Sequence, residues 1–199
     1  MSTTLALWYL MRGSGVVTLA LLSGAVALGI ATSGGARLGA LPRFATISLH
    51  RSVSLLAVVF LAVHVGAAIV DPYVSIRALD AVVPFAAGWE PFWIGLGALA
   101  VDLVLALALT GLLRARIGRR AFTAVHMTAY AAWPLALVHA VGVGTDLMTL
   151  WMGGVVLASL ALVGSALAWR ARAARTWRTD HRTPPDRPTT TPRPQEALR

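Results

Sequence analysis

Apolar residues in this chain run in long unbroken blocks and show neither the 3.6-residue stripe of a surface helix nor the alternation of a half-buried strand. A helix needs about 20 apolar residues to cross a hydrocarbon core. Five blocks reach that length, at roughly 9–32, 46–70, 91–113, 121–143 and 148–170. The pattern predicts an all-α integral membrane protein, a bundle of five transmembrane helices with its two termini on opposite sides. Between the second and third blocks lies DPYVSIRALDAVVPFAAGWE, residues 71–90, too long for a tight turn and carrying Pro72 and Pro84. It is expected to lie along the outer surface as a short amphipathic segment and to cap whatever lies between the helices. Residues 13–31, following Arg12, also have the outline of a secretory signal core. Cleavage there would start the second helix outside and put the arginines of 37–51 on the wrong side, so the first block is read as a true span.

Composition agrees, with 57% hydrophobic and 13% charged residues. All 17 basic residues are arginine and the formal net charge is +9, a balance that in a soluble chain would suggest nucleic acid. Here topology accounts for it. Arg37 and Arg43 follow the first block, with Arg51 just inside the second; Arg114, Arg116, Arg119 and Arg120 follow the third; Arg170, Arg172, Arg175 and Arg178 follow the fifth. The remaining loops carry Asp71, Asp80, Glu90 and Asp146 against Arg77. By the positive-inside rule the N-terminus is outside and the C-terminus cytoplasmic, in a bacterial-type inner or plasma membrane; lipid is the expected partner and nucleic acid is not. Residues 1–172 form the expected membrane domain. Residues 173–199, with TPPDRPTTTPRP and a solvated His181, lack the apolar side chains of a core and are expected to be a disordered cytoplasmic tail. The chain has no cysteine, which excludes disulfides, iron–sulfur ligation and covalent c-type haem.

Ionisable residues inside a span are rare enough to mark functional sites, and the other four histidines all fall within spans. His50 and His64 are 14 residues apart in the second, about 21 Å along a helix; His126 and His139 are 13 apart in the fourth, about 19.5 Å. Both helices run outward, so His50 shares the inner level with His126 and His64 the outer level with His139. Facing histidines on neighbouring helices can close a bis-imidazole site on an iron porphyrin, and two such layers about 20 Å apart would stack across the bilayer. The expected cofactors are two b haems, His50 with His126 and His64 with His139. A lone membrane histidine would more simply hydrogen-bond a neighbouring helix, but two matched pairs are harder to dismiss. A single four-histidine metal ion is disfavoured, since its ligands must converge within about 2.1 Å of one point. One difficulty is phase: 14 residues return a helix to within about 40° of its starting direction, whereas 13 leave it about 140° away. The haem reading therefore requires a kink or π-bulge in the fourth span, for which Pro134 is the candidate.

Haem propionates need cations near the membrane edge. Arg51 is the inner candidate, with Arg43, Arg119 and Arg120 at the same level. Arg12 lies at the outer end of the first helix, where topology gives it no reason to be, and is assigned to the outer propionates. Asp102, mid-span in ALAVDLVLALALTG, should face the bundle, protonated or bonded to a neighbour such as a ligand histidine's second nitrogen. Trp89, Trp93, Trp133 and Trp151 read as interfacial or packing residues, with Trp133 the one expected to touch a porphyrin. Gly95, Gly97, Gly111, Gly153 and Gly154 read as close helix packing.

LHR (49–51) with His64 fourteen residues after His50, VHMTAY (125–130) with His139 thirteen after His126, and RGSG (12–15) together resemble the ferric reductase-like transmembrane domain family. That family includes the haem core of NADPH oxidases and ferric reductases and the membrane haem subunit of the bacterial methionine sulfoxide reductase system. The resemblance covers about residues 7–172. It implies that His50, His64, His126 and His139 ligate two b haems, and that the unequal spacing is the family's own. Family cores commonly have six helices and this chain five. Oxidases and ferric reductases also continue into a flavin and nicotinamide domain, for which the residues after 172 are too few. The expectation is a transmembrane di-haem cytochrome b, without catalytic residues of its own, that passes single electrons between a separate donor (flavoprotein or quinol) and a separate acceptor. Its rivals are a quinol-linked metal-ion reductase and a non-redox subunit that handles haem or transports a solute.

Overall fold

The computed structural model describes residues 3–33, 42–72, 75–144 and 149–180. Arg37, Asp146 and His181 lie outside them. The described chain folds into α1 (Thr3–Ser33), α2 (Arg43–Val70), a 3-10 turn (Ala78–Ala81), α3 (Pro91–Leu112), α4 (Arg119–His126), α5 (Ala129–Val143) and α6 (Leu150–Asp180), with no strand among the described residues. Five helical segments are long and apolar enough to cross a membrane, α4 and α5 together making the fourth. They match the five sequence blocks. α6 continues through the arginines after residue 170 as far as Asp180, and residues 181–199 lie outside the description.

Packing follows the rules of a bundle in lipid. Leu55, Leu56, Val59, Leu105, Leu109 and Leu157 are exposed on the outside of the helices, while Ala25, Ala57, Ala98, Ala100, Ala132 and Ser23 are buried between them. With lipid as apolar as leucine, large side chains gain nothing by turning inward, and small ones let backbones approach. α1 packs along α2 and α6, and α3 along α5. Val26, Ile30 and Val163 tie α1 to α6, with Trp133 against them. α2 is not closely packed on α4 or α5, so a gap separates the two spans that carry the histidines.

The fourth span breaks earlier than the sequence suggested. α5 runs straight through Pro134, and the interruption is at Met127–Thr128, directly after His126. There the backbone tightens: Thr128 N donates to Val125 O (2.9 Å), Tyr130 N to Met127 O (3.2 Å) and Ala131 N to Thr128 O (2.9 Å). These are three-residue steps, which overwind a helix by about 20° per residue relative to α geometry. Three such steps recover about 60° of the 140° phase error and turn His126 and His139 toward a common side. Pro134 leaves the Tyr130 carbonyl without its donor one turn upstream but does not interrupt the helix.

The described residues of segment 71–90 are amphipathic with their polar side inward. Asp71 and Asp80 are buried, whereas Leu79, Val82, Val83 and Phe85 are exposed. Arg77 holds Asp80 through its backbone N (3.0 Å), Nε (3.1 Å) and a terminal guanidinium nitrogen (2.7 Å). The guanidinium hydrogen bond keeps the Asp80 carboxyl below its ordinary range. Phe85, at φ 66°, lies against Gly95 of α3, where any side chain would collide with its ring.

Candidate functional site

The two pairs read from spacing are the two pairs that meet. His50 and His126 have ring centres 6.2 Å apart with planes at 81°; His64 and His139 are 6.4 Å apart at 78°. An imidazole nitrogen binds a first-row metal at about 2.0–2.1 Å and lies about 1.1 Å from its ring centre, so two imidazoles on opposite sides of one ion stand about 6.3 Å apart. Both pairs have that separation. No group of three or more metal-ligand side chains converges among the described residues.

Three of the rings are anchored by backbone. Nδ1 of His50 donates to Ala25 O (2.9 Å), Nδ1 of His64 to Met11 O (2.8 Å) and Nδ1 of His139 to Trp93 O (2.8 Å). A carbonyl only accepts, so each Nδ1 carries the proton and each Nε2 keeps its lone pair free for a metal. Each bond contributes about 0.5–1.5 kcal/mol net and fixes both tautomer and ring direction. Glycines make the approach possible. A Cβ on Gly15 would stand 2.9 Å from the His64 ring, one on Gly97 2.7 Å from His139, and one on Gly29 3.4 Å from His50. His126 differs: its Nδ1 is buried without a partner, and Phe122, one turn earlier, stacks on its ring at 5.0 Å.

A cavity of about 450 Å³ surrounds the His64–His139 pair, bounded by both histidines and by Gly15, Gly97, Arg12 and Trp151, with Asp71, Asp80 and Trp89 also on its wall. Its size is in the roughly 300–1,000 Å³ range of cofactor sites. The segment 71–90 thus caps the bundle as its pattern suggested. Arg12 stands over the Trp8 ring at 4.6 Å, a cation–π contact on the cavity wall. Arg51 is exposed beside His50. Trp133 reaches α1, its Nε1 donating to Ser23 Oγ at 2.8 Å, and sits between the levels of the two pairs without lining the outer cavity. Asp102 is half-buried on α3 with no hydrogen bond or ion pair among the described residues. Of the states expected for it, a bond to a histidine's Nδ1 is not the one found, since three of those nitrogens take carbonyls and the fourth none. Gly15 and Gly29, whose role sequence reasoning missed, are 14 residues apart, the interval of His50 and His64 on the helix they face.

Fold and site together define a multi-pass helical membrane protein with imidazoles paired at two levels. The family model for the ferric reductase-like transmembrane component matches residues 14–137. The chain belongs to that family, whose character is membrane electron transfer. The matched stretch takes in His50, His64 and His126 and ends just before His139. No curated protein and no solved structure matches the chain.

Proposed function

We propose that the chain is a transmembrane di-haem cytochrome b. His50 and His126 would hold the inner haem, His64 and His139 the outer. The observation that carries this reading is the pair of ring separations, 6.2 and 6.4 Å, on spans that leave a gap between them. When bound, the haem irons supply one-electron redox chemistry. The protein's own part is to hold and tune. The carbonyl bonds to Nδ1 would raise the basicity of three ligands. Arg12 is placed to meet the propionates of the outer haem, and Arg51 lies at the level of the inner one. Trp133 spans the interval between the levels and fixes α5 to α1. With His50 and His126 holding one haem and His64 and His139 the other, these side chains would leave no histidine position for oxygen, and the acceptor would be a separate molecule. Both redox partners are separate from residues 1–172: a flavoprotein or quinol as donor, and an acceptor on the opposite face. With the N-terminus outside, each electron crossing the bilayer moves one charge, worth about 2.3 kcal/mol per 100 mV.

The test is a reduced-minus-oxidised spectrum with pyridine haemochrome quantification on wild type, His64→Ala and His139→Ala. About two haem b per chain are expected, falling to about one in either variant with the inner haem spectrum intact. A colourless wild type, or a haem content indifferent to these histidines, would overturn the reading in favour of a non-redox membrane subunit.

A further inference from the structure

Three histidine rings use one kind of seat. The accepting carbonyl and the glycine under the ring are always four residues apart on one helix: Met11 and Gly15, Ala25 and Gly29, Trp93 and Gly97. A helical carbonyl points toward the residue four positions on, so the missing Cβ there opens the path to its oxygen. The two seats on α1 are 14 residues apart, matching the histidines they receive. The same step from the seat on α3 leads from Trp93 to Leu107 and from Gly97 to Gly111. α3 runs antiparallel to the fourth span, and His126 precedes His139 by 13 residues. The α3 backbone thus repeats the seat at the level of His126, the one histidine whose buried Nδ1 has no partner.

A second observation marks the same place. Beside the His64 seat, Ser14 Oγ donates to Leu10 O (2.5 Å) and Met11 O (3.1 Å). Thr110 Oγ1 makes the same two bonds, to Ala106 O (2.7 Å) and Leu107 O (3.2 Å). Ser14–Gly15 and Thr110–Gly111 are therefore the same hydroxyl–glycine pair in the same relation to a carbonyl. One seat holds a histidine. At the other, a Cβ on Gly111 would meet nothing within 4 Å.

We propose that Leu107 O and Gly111 form a fourth seat, and that His126 occupies it when the inner haem is bound, its Nδ1 donating to Leu107 O. Gly111 is thus a positioning residue for an axial ligand, and the proposal rests on the haem reading above. The movement required is local. α4 is an eight-residue helix with no buried residue, entered through Gly118 at φ 70° and left through the Met127–Thr128 break.

The test compares Gly111→Ala with Gly164→Ala in the purified full chain, because neither Cβ meets anything within 4 Å in this structure. A fixed His126 makes the two variants alike. The seat makes them differ: Gly111→Ala should bind the inner haem about 10–100-fold more weakly. The low-spin ferric EPR signal that disappears in His50→Ala should shift or vanish with it, while the outer signal and its midpoint potential stay. An unchanged inner signal in Gly111→Ala, or loss of the outer signal alone, overturns the proposal. Should that variant fail to fold, wild type decides: reduced, diamagnetic protein labelled with ¹⁵N-histidine should show four slowly exchanging Nδ1–H protons, and three would refute the seat. A wild type without haem refutes the proposed function itself, and is recognised before any glycine is changed.

Discussion

Alanine at Gly97 would put a methyl carbon 2.7 Å from Cε1 and Nδ1 of His139 and 3.1 Å from Cγ. Carbon contacts settle near 3.5–4.0 Å, so the ring must retreat by about 1 Å. Its 2.8 Å bond to Trp93 O would stretch past about 3.6 Å, where a hydrogen bond no longer counts as one. The direct loss is about 0.5–1.5 kcal/mol. The larger loss is in ligation, since removing a ligand's outer support typically costs about 10–100-fold in affinity, or about 1.4–2.8 kcal/mol. Alanine meanwhile favours a helix over glycine by about 1 kcal/mol, so the haem-free protein should be no less stable. Haem affinity and haem-free stability thus move apart, which general damage would not produce. The effect should grade with crowding: Gly15→Ala, at 2.9 Å from His64, comes next, and Gly29→Ala, at 3.4 Å from His50, costs little. The assay is titration of haem into the haem-free chain, followed at the Soret band, with thermal unfolding measured in parallel. Outer-site affinity unchanged in Gly97→Ala, or Gly29→Ala as harmful as Gly97→Ala, would refute the reasoning.

Ser23→Ala keeps the Trp133 indole but removes the acceptor of its 2.8 Å bond; unfolding in detergent should reveal a loss of about 0.5–1.5 kcal/mol, and no loss would mean the bond adds nothing. The Arg77 hydrogen bonds depress the Asp80 carboxyl, so their contribution to the outer segment is complete above the ordinary aspartate value of about 4 and fades as pH falls through the lower, folded value. Protease added outside proteoliposomes should therefore spare 71–90 from neutral pH to about 5 and cut it progressively below about 4. Arg77→Gln should be cut throughout, and a profile identical to wild type would count against the anchor.

The spans and the two pairings were legible because hydrophobic length and helical rise are properties of residue type and count. The 14 and 13 spacings of His50 to His64 and His126 to His139 needed only the direction of each helix. What holds the rings was harder to read, because the acceptors are the carbonyls of Met11, Ala25 and Trp93, and a carbonyl leaves no mark on residue identity. The trace it does leave is glycine: Gly15 and Gly29 repeat the histidine interval on the facing helix and could have been found by that coincidence. The break after His126 escaped detection for another reason. Pro134 advertises a kink, but α5 continues through it, and the break lies upstream, where Thr128, Tyr130 and Ala131 make three-residue hydrogen bonds. Asp102 misled because a mid-span carboxylate suggests a histidine partner, while the competing backbone acceptors are invisible in sequence.

α1 holds one histidine of each level, His64 through Met11 and His50 through Ala25. The two attachment points lie on a single rigid rod, with a rise of about 1.5 Å per residue. Sliding that rod along α2 by one residue would draw both bonds apart together, so α1 cannot disturb one level without the other. Mechanically, α1 is a common-mode lever: in the proposed cytochrome a force on it would move both levels in the same sense and leave the step between them to the histidines on the fourth span. Electron flow between two sites depends on that step and not on their shared offset. A membrane protein jostled by lipid and by docking partners would in this way keep its internal gradient while its absolute level drifts.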